Sequence, residues 1–484
     1  MSDEVRNLDP KAVWENFCDL NAVPRPSKKE ERVIAFMKQF GNDLGLETSS
    51  DQIGNVVIKK PATKGMEDRQ TVILQSHLDM VHQKNNATDF DFSSEGIQMY
   101  VDGDWVKAEG TTLGADNGLG VAAIMGLLAS KDIPHPSLEA MFTVDEETGM
   151  TGAKKLDPSM YEGTILLNLD TEEDDELSIG CAGGIDTNTR FEYDELYSLE
   201  DTQAFRVEIK GLKGGHSGMD IDKGRANANK LMARLLTLAN DDLMLHSLEG
   251  GGLRNAIPRE AVAVVSLLRR HVEGFKDHVR NMEDIFKKEY NPVESDLNIS
   301  LSPVNTPDMM VAGEERHEMF HALNAIHNGV FKMSLKFKGL VETSSSLAQV
   351  IIKDGVFTTK SLQRSSVEST KVDVATTVRS PFDLLGAEVE QTGDYPGWEP
   401  NPNSEILSVM AEIYRSEFNE DPDIQACHAG LECGILGKHL PDVDMISFGP
   451  TIKHAHSPDE CASISSVQKF WKYLLKALES TPKK

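Results

Sequence analysis

Apolar positions in the first 186 residues recur with two alternating periods, near two for strands and near 3.6 for helices. Val33, Ile34, Met37 and Phe40 keep the helical spacing towards a stop near Gly45, behind Ser27-Lys-Lys-Glu30, which reads as a capping box. Asp9-Pro10 predicts the cap and first turn of a short helix through Phe17. Asn55 to Lys60 and Thr71 to Gln75 are β-rich runs, and Ala140 to Val144 and Thr164 to Leu169 read as buried strands. Leu119 to Leu128 is apolar almost all round, as in a helix buried against a sheet. This alternation predicts an α/β domain with a mostly parallel central sheet flanked by helices.

The pattern changes after residue 186. Ala204 to Gly211 alternates like a half-exposed strand, and a glycine-rich turn and a helix from Arg225 to Asn240 follow. Asn255-Ala-Ile-Pro leads into a strand over Ala261 to Leu267. A weaker echo places strands at Lys332 to Phe337 and Lys371 to Val378, with a polar loop, Gly339 to Ser346, between them. Residues 187–400 therefore read as an inserted α+β domain, with the proline-rich stretch Gly393 to Ser404 as the return linker. From Ile406 the first pattern resumes and ends in a helix over Val467 to Leu478, so residues 1–186 and 401–484 form one domain.

Composition narrows the functional classes. At 484 residues the chain exceeds what one core holds, and 39% hydrophobic with 26% charged residues is ordinary for a folded protein. The net charge of −29 argues against nucleic acid and anionic membranes as partners, and no apolar stretch reaches membrane-spanning length. The opening Met-Ser-Asp-Glu-Val-Arg-Asn is polar and acidic, so no secretory signal is expected. Five scattered cysteines without a Cys-x-x-Cys pair predict reduced thiols in the cytoplasm and exclude a cysteine-built zinc site.

Candidate chemistry gathers at strand ends. Val72-Ile-Leu-Gln-Ser-His77-Leu-Asp79 puts an imidazole and an acid at the C-terminal end of a strand, the edge where open α/β sheets bind ligands. Asp116 lies in the glycine-flanked loop Thr112-Leu-Gly-Ala-Asp-Asn-Gly118, Glu146 and Glu147 follow Phe142-Thr-Val-Asp, and Asp170 ends Asn168-Leu-Asp170. Far downstream, Lys453-His-Ala-His456-Ser-Pro-Asp-Glu460 supplies a loop histidine. Two histidines and three carboxylates can hold two divalent ions if one carboxylate bridges them; imidazole with carboxylate suits zinc, cobalt or manganese. Asp79 is then placed to orient the His77 ring, and Glu146 to act as general base and acid.

The motifs Ser-His77-Leu-Asp79-Met-Val, Gly-Ala-Asp116-Asn-Gly, Asp-Glu146-Glu147-Thr-Gly and His456-Ser-Pro-Asp-Glu resemble the aminoacylase and carboxypeptidase clan of di-zinc peptidases, in particular its aminoacyl-histidine dipeptidase branch. The likeness covers nearly the whole chain. It implies that Asp116 bridges two zinc ions, that His77 and Asp170 complete one site, and that Glu147 and His456 complete the other. Asp79 and Glu146 become the catalytic pair, and the insert becomes a lid of a homodimeric enzyme. Gly214-Gly-His216-Ser-Gly218 then matches the lid histidine that steadies the developing oxyanion.

Two further residues are expected to meet substrate. Asn255 follows the family pattern, and Arg379, ending a strand over Val374 to Val378, offers its planar fork to a terminal carboxylate. Where many clan members carry glycine-threonine-aspartate, this chain has Cys427-His-Ala-Gly-Leu-Glu432-Cys-Gly434, which leaves open what His428 and Glu432 do. The acidic run Thr171 to Glu176 reads as a solvated loop. The activity implied is cytoplasmic, metal-dependent hydrolysis of unblocked dipeptides, Xaa-His among them.

Overall fold

Val72–His77 is buried at every position and forms the inner strand of an eight-stranded sheet. The computed structural model describes residues 2–239 and 242–484. The chain divides into two compact units: Met1–Gly180 with Pro400–Ala426 and Leu431–Lys484, and Cys181–Glu399 with Cys427–Gly430.

In the first unit the strands run in the order Glu47–Ser50, Val56–Lys60, Leu138–Thr143, Val72–His77, Ile165–Asn168, Asp444–Ser447, Glu176–Cys181 and Asp423–Cys427. The third to sixth of these are mutually parallel, and the flanking pairs described by register are antiparallel. The expected mostly parallel sheet thus holds at its centre, where near-continuous apolar strands mark burial on both faces. Helix Ala115–Ala129, buried along nearly its whole length, packs on Val72–His77 and on helix Lys11–Asn21. All four parallel strands end on one side of the sheet. There the chain continues into Asp79, Glu146, Asp170 and the loop that carries His456.

The second unit is built on an antiparallel sheet of nine strands, including Gly183–Glu192, Thr202–Lys210, Met244–Gly251, Ala261–Leu268, Val341–Lys353 and Val356–Ser365. Leu235, Phe286, Met319 and Phe382 from four helices share one apolar core with Val207, Leu245 and Val265 of this sheet.

Local expectations failed in instructive places. Ser27 and Glu30 do not form a capping box: Ser27 Oγ donates to the Met80 carbonyl, and Glu30 accepts from the Lys28 N–H. The helix expected over 225–240 spans Ala228–Thr237, and Asn240 lies outside the described residues. Gly339 to Ser346 is not a loop. Its serines enter the long strand Val341–Lys353, where Thr343 bonds Ser365 on the neighbouring strand and Ser344 bonds His428. Lys332 to Phe337 is shifted, the strand being Gly329–Met333. Lys371 to Val378 is not a strand but lies in helix Glu368–Leu385, because Lys371, Val374, Ala375, Val378 and Phe382 bury one face at helical spacing.

Leu74 is fully buried in the central strand. Leu74→Ala is expected to cost about 2–5 kcal/mol through lost burial and an unfilled cavity, measured as a lowered denaturant midpoint of the first unit.

Candidate active site

The start of helix Ala115–Ala129, where Asp116 and Asn117 depart from helical φ/ψ, brings Asp116 to the sheet edge. Gly114 enters it with φ of +68°, and a Cβ there would strike the Arg25 guanidinium and the Met80 side chain, so glycine is required. His77 Nε2 lies 3.1 Å from Asp116 Oδ1 and 3.5 Å from Asp170 Oδ1. His456 Nε2 lies 3.1 Å from the other oxygen, Asp116 Oδ2, and 3.0 Å from Glu147 Oε2. Two triads, His77/Asp116/Asp170 and Asp116/Glu147/His456, thereby share one carboxylate, with donor atoms in each within 4.8 Å of one another.

Asp79 sits beneath this arrangement, fully buried. Its carboxylate accepts the N–H groups of Glu146 at 3.0 Å and Glu147 at 3.3 Å and lies 3.5 Å from His77 Nδ1. One acid therefore sets both the imidazole and the turn that carries the two glutamates. Asp145 and His456 adopt left-handed backbone conformations, a cost tolerated where surrounding contacts fix the geometry. Asn117 donates to Asp170 and to the Leu169 carbonyl.

The electrostatics point to cations. Among the described residues, no lysine or arginine forms an ion pair with Asp79, Asp116, Glu146, Glu147 or Asp170. Hydrogen bonds to Asp116 and Glu147 push the His456 imidazole up to about 11. Burial works to raise the Asp116 carboxyl, but the bonds from His456 and His77 hold it well below the usual range. Burial lifts Glu146 well above that range, reinforced by the charges of Glu432, Asp170 and Glu147 against the opposing effect of His77. Glu147 Oε1 is buried without a partner. An anionic pocket of imidazole and carboxylate donors, with a buried oxygen left over, fits a pair of divalent cations.

The other expected residues lie in the second unit. Gly215 and His216 pair antiparallel with Ala256 and Ile257, which places Asn255 beside His216, and the Asn255 carbonyl accepts the Ser217 N–H at 2.8 Å. His216 Nδ1 accepts the N–H groups of Gly218 and Met219, so the proton of the neutral ring sits on Nε2 as an available donor. Burial, reinforced by the Arg364 charge, lowers its pKa. Arg379 does not end a strand. It stands on the exposed side of helix Glu368–Leu385, where Nε donates to Asp383 at 2.8 Å, an i,i+4 pair.

Sequence reasoning missed Arg364, which sits in a strand whose neighbours gave no sign of it. It is buried, its Nη1 donates to Tyr395 Oη at 3.1 Å, and among the described residues its Nε has no partner and it forms no ion pair. The Cys427 to Gly434 segment divides. His428, pulled down to about 3 by burial and the Arg364 charge, bonds Ser344 at 2.7 Å in the second unit. Glu432, raised to about 7 by burial, accepts from Gln75 and Thr143 at 2.7 Å in the first. The acidic run after Asp170 is partly neutralised, Lys453 pairing with Glu173 and Lys469 with Asp174.

The model of peptidase family M20/M25/M40 matches residues 73–480. The chain belongs to this family. Within it, the chain is similar to the cytosol non-specific dipeptidase of Escherichia coli (strain K12), at 42% identity over 99% of this chain and all of that one. The solved aminoacylhistidine dipeptidase of Vibrio alginolyticus is 42% identical and superposes over the full length of both chains with a TM-score of 0.96. The aminopeptidase PepT structure from Bacillus cereus, 15% identical with a TM-score of 0.56 over 98% of this chain and 99% of that one, shares the fold. The motif resemblance and the expected fold class are both borne out.

Asp116→Ala is expected to abolish binding of both cations, whereas Asp170→Ala should leave one. Elemental analysis after dialysis against buffered zinc reads the difference.

Proposed function

We propose that this member of the family hydrolyses unblocked dipeptides, with broad side-chain tolerance that includes Xaa-His, at the site around Asp116. The observation that carries this reading is the pair of histidine–carboxylate triads joined through one aspartate, with Glu146 beside them and free of either triad. The substrate class is supported by full-length likeness to a non-specific dipeptidase and an aminoacylhistidine dipeptidase.

His77, Asp116 and Asp170 would hold one cation, and Asp116, Glu147 and His456 the other, with zinc the first choice and cobalt or manganese as substitutes. Bound there, the pair would polarise the scissile carbonyl and ease ionisation of the attacking water. Glu146 takes that water's proton and returns it to the leaving amine, a role suited to a carboxyl that burial holds well above the usual carboxylate range. Asp79 holds His77 and the Glu146 turn in place. His216 offers Nε2–H to the developing oxyanion, and Asn255 beside it is assigned to the substrate. Arg379, tied to Asp383 on an exposed helix face, is left without that role, whereas the buried guanidinium of Arg364, its Nε unpartnered among the described residues, has the chemistry to take a carboxylate.

The setting follows the same reading. No helix among the described residues is long and apolar enough to cross a membrane. The E. coli relative carries the name cytosol dipeptidase, which supports a cytoplasmic location here. The resemblance further implies a homodimer, checked by mass in solution.

A panel of free dipeptides should be cleaved with zinc, cobalt or manganese, and N-acetylated amino acids should not. Full activity after chelation and dialysis would overturn the mechanism. Glu146→Gln should retain both cations yet lose about 10²–10⁴-fold in kcat.

A further inference from the structure

We infer that Arg25 and Glu460, which offer no atom to the candidate cations, are the positioning residues that fix Asp116 and thereby the spacing of the two cations. The inference rests on the site proposed above.

The turn that delivers Asp116 is gripped from both sides. Glu460 Oε2 accepts the N–H groups of Leu113 at 2.7 Å and Gly114 at 3.0 Å, while Oε1 accepts those of Ala115 at 2.8 Å and Asp116 at 3.4 Å. Four successive backbone N–H groups converge on one buried carboxylate, an anion nest filled by the chain's own side chain. Glu460 follows His456 by four residues, and its own N–H bonds the Ser457 carbonyl at 3.0 Å. The loop that carries one terminal donor is thus fastened to the turn that carries the bridge.

Arg25 fastens the same turn to the other histidine. Its Nη2 donates to the Gly114 carbonyl at 2.5 Å and to Asn21 Oδ1 at 3.0 Å. Its Nη1 donates to the carbonyls of Leu78 at 3.1 Å and Asp79 at 3.0 Å, immediately after His77. Arg25 is 1% exposed and forms no ion pair among the described residues; its hydrogen bonds go to backbone carbonyls and one side-chain amide. Planar, forked donation of this kind is available to arginine and not to lysine. Both side chains act on the backbone of segments that carry donors: 77–79, 113–116 and 456–460. Asp116 is the shared member of both triads, so a shift of its backbone alters both cation sites together.

The test compares Arg25→Lys, Glu460→Gln and Glu460→Asp with the parent protein. Folding is followed by far-UV circular dichroism of the cation-free protein, and zinc affinity by competition with a chromophoric chelator. Visible absorption of the cobalt-loaded protein reports cation geometry, and kcat and KM are measured on a free dipeptide. Folded variants should lose about 10–100-fold in affinity for at least one cation, change the cobalt spectrum, and lose kcat with little change in KM. Unchanged affinity and spectrum in folded variants would overturn the inference. So would failure of all three to fold, since the residues would then hold the domain rather than the bridge. If the parent binds two cations but cleaves no dipeptide, the proposed function fails while the positioning roles remain open to the affinity measurement.

Discussion

Asp79, Asp116, Glu146, Glu147 and Asp170 crowd one edge of a sheet with no lysine or arginine paired to them among the described residues. Isolated buried carboxylates are too costly for a fold to gather without compensation. The compensation visible within the chain is two imidazoles, each turned towards Asp116, one drawn up to about 11 by the surrounding acids. A field that favours a proton on both rings favours divalent cations between them still more. The arrangement of strands, turns and polar contacts around Asp116 follows from that constraint.

Parallel strands serve this purpose because they end on the same side. Val72–His77, Leu138–Thr143, Ile165–Asn168 and Asp444–Ser447 each hand the chain to a donor-bearing segment at one edge. Asp116 arrives differently, from a turn that opens a helix and has no strand to fix it. Its position is set instead by hydrogen bonds from residues distant in sequence. A polar ladder lies under the donors: Glu432 accepts from Thr143 and Gln75, Gln75 from Asn168, and Asn168 from Ser447. Crossing four neighbouring strands, it links the elements that carry His77, Glu147, Asp170 and His456.

The first unit was legible in the sequence because its central strands are apolar runs and its donors follow those runs directly. The second unit was harder to read. A serine-rich strand such as Val341–Lys353 looks like a loop until the hydroxyl partners on neighbouring strands are known. Helix Glu368–Leu385 was mistaken for a strand because its β-branched residues, among them Val372, Val374 and Thr376, mimic strand alternation over a few positions. That error made Arg379 a substrate-binding candidate, although it pairs with Asp383 on an exposed helix face. The roles of Arg25 and Glu460 were hidden for another reason: most of their partners are backbone groups more than fifty positions away.

The central claim is that Asp116 joins two cations, and anomalous diffraction from crystals grown with zinc tests it most directly. The account predicts two peaks about 3.5–4 Å apart, one against each carboxylate oxygen of Asp116. A single peak, or a pair that Asp116 does not touch, would contradict it.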